Sequence, residues 1–185
     1  MVTLQGLHVA GDGGGLHGIR VLQAAAVHIR NCTVERMLGS GISVEFNAAE
    51  IFIGDTVSRD NGADGLVVSG SGAPAEVTIH NSLFENNGSD GLDIDGVVST
   101  ISGVVTSGNT GAGIVMSGGL MTVTDTIAAH NGGSGFAAGG GLEATQMTLQ
   151  SVVAHNNTGD GLVVFGGDAT ARVSASVFTN NNRAS

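Results

Sequence analysis

Apolar and polar positions alternate in short bursts along the whole chain, and the bursts return at nearly constant spacing. Most are anchored by the phrase Asn-x-x-x-Gly-(Leu/Ile). The anchoring glycines are Gly18, Gly41, Gly65, Gly91, Gly113, Gly135 and Gly161, so successive repeats measure 23, 24, 26, 22, 22 and 26 residues. Just after each glycine stand Ile19, Ile42, Leu66, Leu92, Ile114, Phe136 and Leu162. Two residues further on come Val21, Val44, Val68, Ile94, Met116, Ala138 and Val164. The position between these columns varies: Arg20, Ser43, Val67, Asp93, Val115, Ala137, Val163. Alternation with a period of two predicts a strand. A second strand follows, with the inward column Ile29, Ile53, Ile79, Ile101, Val123, Leu149 and Val173. After a short polar corner (Asn31, Asp55, Asn81) a third apolar column is expected at Thr33, Val57, Leu83, Val105, Ile127, Val153 and Val177. Six repeats then close on Asn61, Asn87, Asn109, Asn131, Asn157 and Asn181, and Met37 takes that place in the first.

A turn of three short strands cannot bury its apolar face alone. Stacked about 4.8 Å apart, successive turns bring like residues together into one continuous core. Asparagine at a bend can bond both to its stacked copies and to the bend's main chain. The glycine after it permits positive φ or close backbone approach. The predicted fold is therefore all-β: one domain over residues 1–185, a single-stranded parallel β-helix (solenoid) of about seven to eight turns of 22–26 residues.

Composition narrows the function. The 32 glycines come with one proline and a mean hydropathy of +0.26, which excludes a disordered chain, and glycine does not recur in every third place as in collagen. Net charge is −10, with no lysine and six scattered arginines. Nucleic acid and anionic membrane surfaces need a basic footprint, so neither is a partner. No apolar run approaches the roughly 18 residues of a membrane span, and no signal-peptide pattern is visible. Cys32 is the lone cysteine, read as an inert thiol at a strand edge. Neither end carries a recognisable cap. That predicts a piece of a longer chain, ends that pair with another copy, end to end or laterally, or caps formed by the terminal half-turns themselves.

The repeats "NNGSDGLDI", "NTGAGIVM" and "NNTGDGLVV" resemble the consensus turn of right-handed parallel β-helix repeat proteins of the pectin-lyase-like superfamily. The resemblance runs from about Val2 to Asn181, and it implies right-handed coiling together with an extracellular or cell-surface location.

Candidate chemistry concentrates at "GSDGLDIDG", where Asp90, Asp93 and Asp95 surround Gly91, with Asp64 and Asp60 expected nearby from the preceding turn. Such carboxylates suit Ca²⁺, or an acid/base pair acting on a glycosidic bond. The stretch Ser89-Asp90-Gly91-Leu92-Asp93 resembles part of the polygalacturonase motif Asn-Thr-Asp-Gly-x-Asp, which would make Asp90 a catalytic carboxylate. The rest of that family's pattern is missing. There is no Asp-Asp pair one turn on, no Gly-His-Gly and no Arg-Ile-Lys, and Asp-Gly recurs at Asp64-Gly65 and Asp160-Gly161 as repeat consensus. Pectate lyases, also similar, imply an arginine base. Arg36 and Arg59 are the available ones, and they read more simply as surface arginines. None of the six histidines falls into a metal-binding spacing. His130 and His155, each ahead of asparagines, read as solvated turn residues.

Aromatic residues are scarce, with no Trp or Tyr; Phe46, Phe52 and Phe165 are expected to face outward without lining up. Two outward columns stand out. One is the hydroxyl series Thr78, Thr100, Thr122 and Thr148, and the other an apolar strip of Val67, Val115, Ala137 and Val163 interrupted by Asp93.

These features favour a non-catalytic β-solenoid scaffold or binding module of a secreted or surface protein of bacterial type. Its outer face would meet a polysaccharide or protein partner, and no cofactor is required. The alternative is a carbohydrate-active enzyme on acidic polysaccharide, complete or degenerate: a polysaccharide lyase or a polygalacturonase-like hydrolase. Its site would be Asp90, Asp93 and Asp95, the same three residues that would ligate Ca²⁺.

Overall fold

The computed structural model describes residues 1–12, 14–45, 50–69, 76–140 and 144–182. Within them the chain coils into a parallel β-solenoid of about seven turns, and no helix occurs among the described residues. Each turn presents three strands, and every strand pairs in parallel with its counterparts in adjacent turns. The third sheet holds eight strands, from His8–Ala10 to Val177–Thr179. The first and second sheets merge where single strands run through the corner, Leu92–Ser102 and Ile114–Thr124.

Register follows the repeat. The column Ile19, Ile42, Leu66, Leu92, Ile114, Phe136, Leu162 is paired residue for residue. So is the column Leu4, Ile29, Ile53, Ile79, Ile101, Val123, Leu149, Val173. Their middle members are fully buried. Each contributes about 1.5–3 kcal/mol through removal from water. A one-residue slip would turn every one of them outward, so the pleat locks the stack.

The third strand departs from expectation. Thr33, Val57, Leu83, Val105 and Val153 are only half-buried, and Ile127 and Val177 are exposed. The inward column is one residue later: Val34, Ser58, Phe84, Thr106, Ala128 and Ala154 are buried, and Phe178 ends the series. The cause is the corner before it. Asn31, Asp55, Asn81, Gly103, Asp125 and Ser151 all have left-handed φ, between 48° and 62°. That kink turns the next residue inward (Cys32, Thr56, Ser82, Val104, Thr126, Val152), so alternation restarts from there. Asn, Asp and Gly populate this backbone region most readily. Cys32 is accordingly buried, its thiol directed at the Arg30 carbonyl 3.2 Å away.

A second left-handed column, Arg36, Asp60, Asn86, Gly108, His130 and Asn156, precedes the asparagine bend. The buried asparagines form a continuous ladder. Asn61, Asn87, Asn109, Asn131 and Asn157 each donate from Nδ2 to the Oδ1 of the next, at 2.9–3.0 Å. Each Oδ1 also accepts the main-chain N–H of the asparagine before it. Met37 N–H donates to Asn61 Oδ1 at 3.1 Å and so starts the ladder without contributing an amide. The repeat glycines serve close approach. A Cβ on Gly41 would lie 2.1 Å from Ser58 Oγ and 2.6 Å from Asn61 Nδ2.

Candidate functional site

The carboxylates singled out in the sequence gather where the asparagine bend feeds the first sheet, in unequal roles. Asp90 is half-buried on the bend. Its Oδ1 accepts Ala112 N–H from the next turn at 2.5 Å, while Asp90 N–H donates to Asp64 Oδ1 at 3.0 Å. Asp64 also accepts the Ser40 hydroxyl at 3.3 Å. In a later turn Ser134 Oγ takes the Asp160 N–H at 3.2 Å. A short polar side chain ahead of the repeat glycine therefore joins one turn to the next, and Asp64 and Asp90 are the acidic versions of that device.

Asp93 lies in the outward column of the first sheet, paired with Val67 on one side and Val115 on the other. Apolar neighbours strip water from it, and its carboxyl is pushed up to about 6 by burial first, then by the charges of Asp64, Asp90 and Asp95. Asp90 is raised too, by burial and by Asp64, against the bond from Ala112 N–H that lowers it. Asp95 is exposed one step along the strand. Asp60 does not join them. It sits on the left-handed corner before the ladder, with Arg59 Nε 3.9 Å from its carboxylate. The bend displaces it from Asp64 although the two are close in sequence. Among the described residues no group of three or more His, Cys, Asp or Glu is placed to hold a metal ion by itself.

The two candidate bases are engaged elsewhere. Arg59 grips one oxygen of Glu35 through Nε at 2.9 Å and a terminal nitrogen at 2.8 Å. Arg36 reaches the other oxygen at 2.9 Å and also pairs with Asp12 at 3.0 Å. His8 Nε2 lies 3.1 Å from the same Glu35 oxygen. Glu35 is buried, its side chain 4% exposed, and stays ionised because Arg59, then His8, hydrogen-bond it, outweighing the effect of burial. Arg59 in turn is held above its ordinary value by Glu35 and becomes a poorer proton acceptor. This clamp across successive turns was missed in the sequence. Its only trace there is that Glu35 and Arg59 share one column, one turn apart.

Outside the corner, an open groove of about 530 Å³ follows the asparagine bend, lined by Arg36, Asp60, Asn86, Gly88 and Thr110 among others. The lining mixes apolar surface, including Met37 and Leu38, with hydroxyl, amide, carboxylate and guanidinium groups from successive turns.

On the second sheet, Phe52 faces outward as expected. His28 and His80 meet it edge-on at 5.8 and 4.8 Å, and the Arg30 guanidinium lies 4.3 Å from its ring centre. Phe165 is 51% exposed, and Phe46 lies outside the described residues. Thr78, Thr100, Thr122 and Thr148 form one register column continuing from Phe52.

The family model described as "Right handed beta helix region" matches residues 17–185. No curated protein sequence matches the chain. Among solved structures, the chain resembles the periplasmic alginate epimerase AlgG, with a TM-score of 0.66 at 15% identity, covering 97% of this chain and 42% of that one. It also resembles pectate lyase Pel9A, with a TM-score of 0.58 at 16% identity, covering 91% of this chain and 55% of that one. The chain thus spans about half the length of these proteins, and at such identities the likeness is one of fold.

Proposed function

Because the chain belongs to the right-handed β-helix family, we propose that it is a non-catalytic carbohydrate-binding solenoid of a secreted or surface protein, docking an extended acidic polysaccharide along its stack. One observation carries the non-catalytic part. Asp90, the carboxylate that matches an enzyme motif, spends an oxygen on Ala112 N–H as a link between turns. The charged groups acting on Asp93 are all carboxylates, and the arginines that would serve a lyase are bound to Glu35. The carbohydrate part rests on likeness to proteins named for alginate and pectate. The groove along the bend, where apolar surface alternates with polar groups, supports it, since its length runs with the stack as a linear polymer would. A net charge of −10 opposes an anionic polymer. Ca²⁺ therefore enters this reading as an ion shared between Asp93 or Asp95 and the polymer's own carboxylates.

The test is affinity electrophoresis of the full chain in gels cast with alginate or pectate, with and without Ca²⁺, beside an assay for unsaturated and reducing ends. Retention that Ca²⁺ strengthens and Thr110→Trp weakens, without product, is the expected result. Product formation abolished by Asp93→Ala would replace the proposal with the enzyme alternative. No retention on either polymer would remove the carbohydrate part.

A further inference from the structure

The coil brings together two histidines that the linear sequence keeps apart. His130 occupies the left-handed corner of one turn (φ 57°), and its N–H donates to the carbonyl of His155 in the next turn at 3.1 Å. Asn156 holds the same corner one turn above His130, also left-handed (φ 56°). Its side-chain amide group lies 3.2 Å from His130 Nε2 and 3.0 Å from His155 Nδ1. The two imidazoles stand edge to face, with ring centres 5.2 Å apart and planes at 84°. Both ring nitrogens therefore lie within hydrogen-bond distance of one side-chain amide. An unprotonated imidazole nitrogen is the form in which histidine ligates metals. Rotating the amide by half a turn puts Oδ1 in the same place, which makes two nitrogens and one oxygen converge. His130 is exposed and His155 half-buried, so water can complete a coordination shell from outside.

We propose that His130, His155 and Asn156 form a surface site for a divalent transition-metal ion that staples two adjacent turns. Imidazole donors select Zn²⁺, Ni²⁺ and Cu²⁺ over Ca²⁺ and Mg²⁺, with Cu²⁺ bound most tightly. The site is separate from the carbohydrate reading, and neither depends on the other.

The metal-free chain of residues 1–185 is titrated calorimetrically with Zn²⁺ at about pH 7.5, with Ca²⁺ as the hard-ion control. One saturable Zn²⁺ site is expected. His130→Ala and His155→Ala should each weaken it at least about tenfold, and His80→Ala should leave it unchanged. Asn156→Asp, which tolerates the left-handed backbone, should tighten it by supplying a charged oxygen. That variant tests the site even where an alanine variant folds poorly. Absence of saturable Zn²⁺ uptake, uptake that survives both histidine substitutions, equal uptake of Ca²⁺, or no tightening in Asn156→Asp would each overturn the proposal.

Discussion

Replacing Asn109 by alanine tests how the bend is held together. Asn109 makes four side-chain bonds. Its Oδ1 accepts from Asn87 N–H at 3.0 Å and Asn87 Nδ2 at 2.9 Å, and its Nδ2 donates to Asn131 Oδ1 at 3.0 Å and the Phe84 carbonyl at 3.1 Å. The residue is 1% exposed, so water cannot take over these bonds. Alanine would leave Asn87 N–H without its acceptor and take a donor from Phe84 C=O. At about 1–3 kcal/mol for each buried group left unpaired, with a small void added, the loss is about 3–5 kcal/mol. Asn181 is the internal control. It makes the same kinds of bond to Asn157 and to the Ala154 carbonyl, yet it is partly exposed. Water replaces its amide there, and Asn181→Ala should cost at most about 1 kcal/mol. Urea unfolding followed by circular dichroism measures both losses, and amide exchange at Asn87 reports local opening of the bend. Repeat arrays can unfold in stages, so coincidence of the two probes is part of the assay. Equal losses in the two variants, or a loss below about 1 kcal/mol for Asn109→Ala, would refute the claim that burial gives the ladder its strength.

Three further expectations follow from the same structure. Asp93, with its carboxyl near 6, should make the protein more stable as pH falls from above 6 toward 4, because the folded state binds that proton more tightly than the unfolded chain does. Asp93→Asn should remove this dependence and raise stability at pH 7.5 by about 1–2 kcal/mol, after allowance for the solvent that still reaches it; thermal melts at both pH values decide, and an unchanged pH profile would contradict the burial argument. Thr106 Oγ1 is buried without a hydrogen-bond partner, so Thr106→Val should be neutral or stabilising by up to about 1 kcal/mol, and a lowered melting temperature would show that the hydroxyl is in fact satisfied. Glu35, held ionised by Arg59 and His8, contributes stability present at neutral pH and lost as pH falls through its lowered value; Glu35→Gln should lower the melting temperature at pH 7 and narrow the gap from the parent chain in acid.

Much of this architecture is written in local pattern. Turn length, the two inward columns after each glycine and the asparagine ladder depend on two things: which residues alternate, and whether like residues recur one turn later. Both are properties of a single chain read in order. A residue such as Ile79 needs only its counterparts Ile53 and Ile101 to be buried, and the repeat supplies them. The candidate carboxylates Asp90 and Asp93 were visible for the same reason, since they lie within one repeat.

What the coil alone decided involves direction. The left-handed corner at Asn81 resets the alternation, so Phe84 faces inward and Leu83 outward, contrary to the apolar count. The chain's apolar pattern cannot show that reset, because Leu83 and Phe84 are both apolar and the strand is three residues long. Glu35 meeting Arg59, and His130 meeting His155, likewise depend on where side chains point once turns are stacked. Residues one turn apart become neighbours only after the backbone closes the turn, and their bonds follow from rotamers that no spacing rule encodes. The sequence by itself therefore determined the stack and the core columns of the first two sheets, through short-range alternation repeated in register. The tertiary structure decided which face of the third strand turns inward and which polar groups meet between turns, because both depend on the angle at each corner.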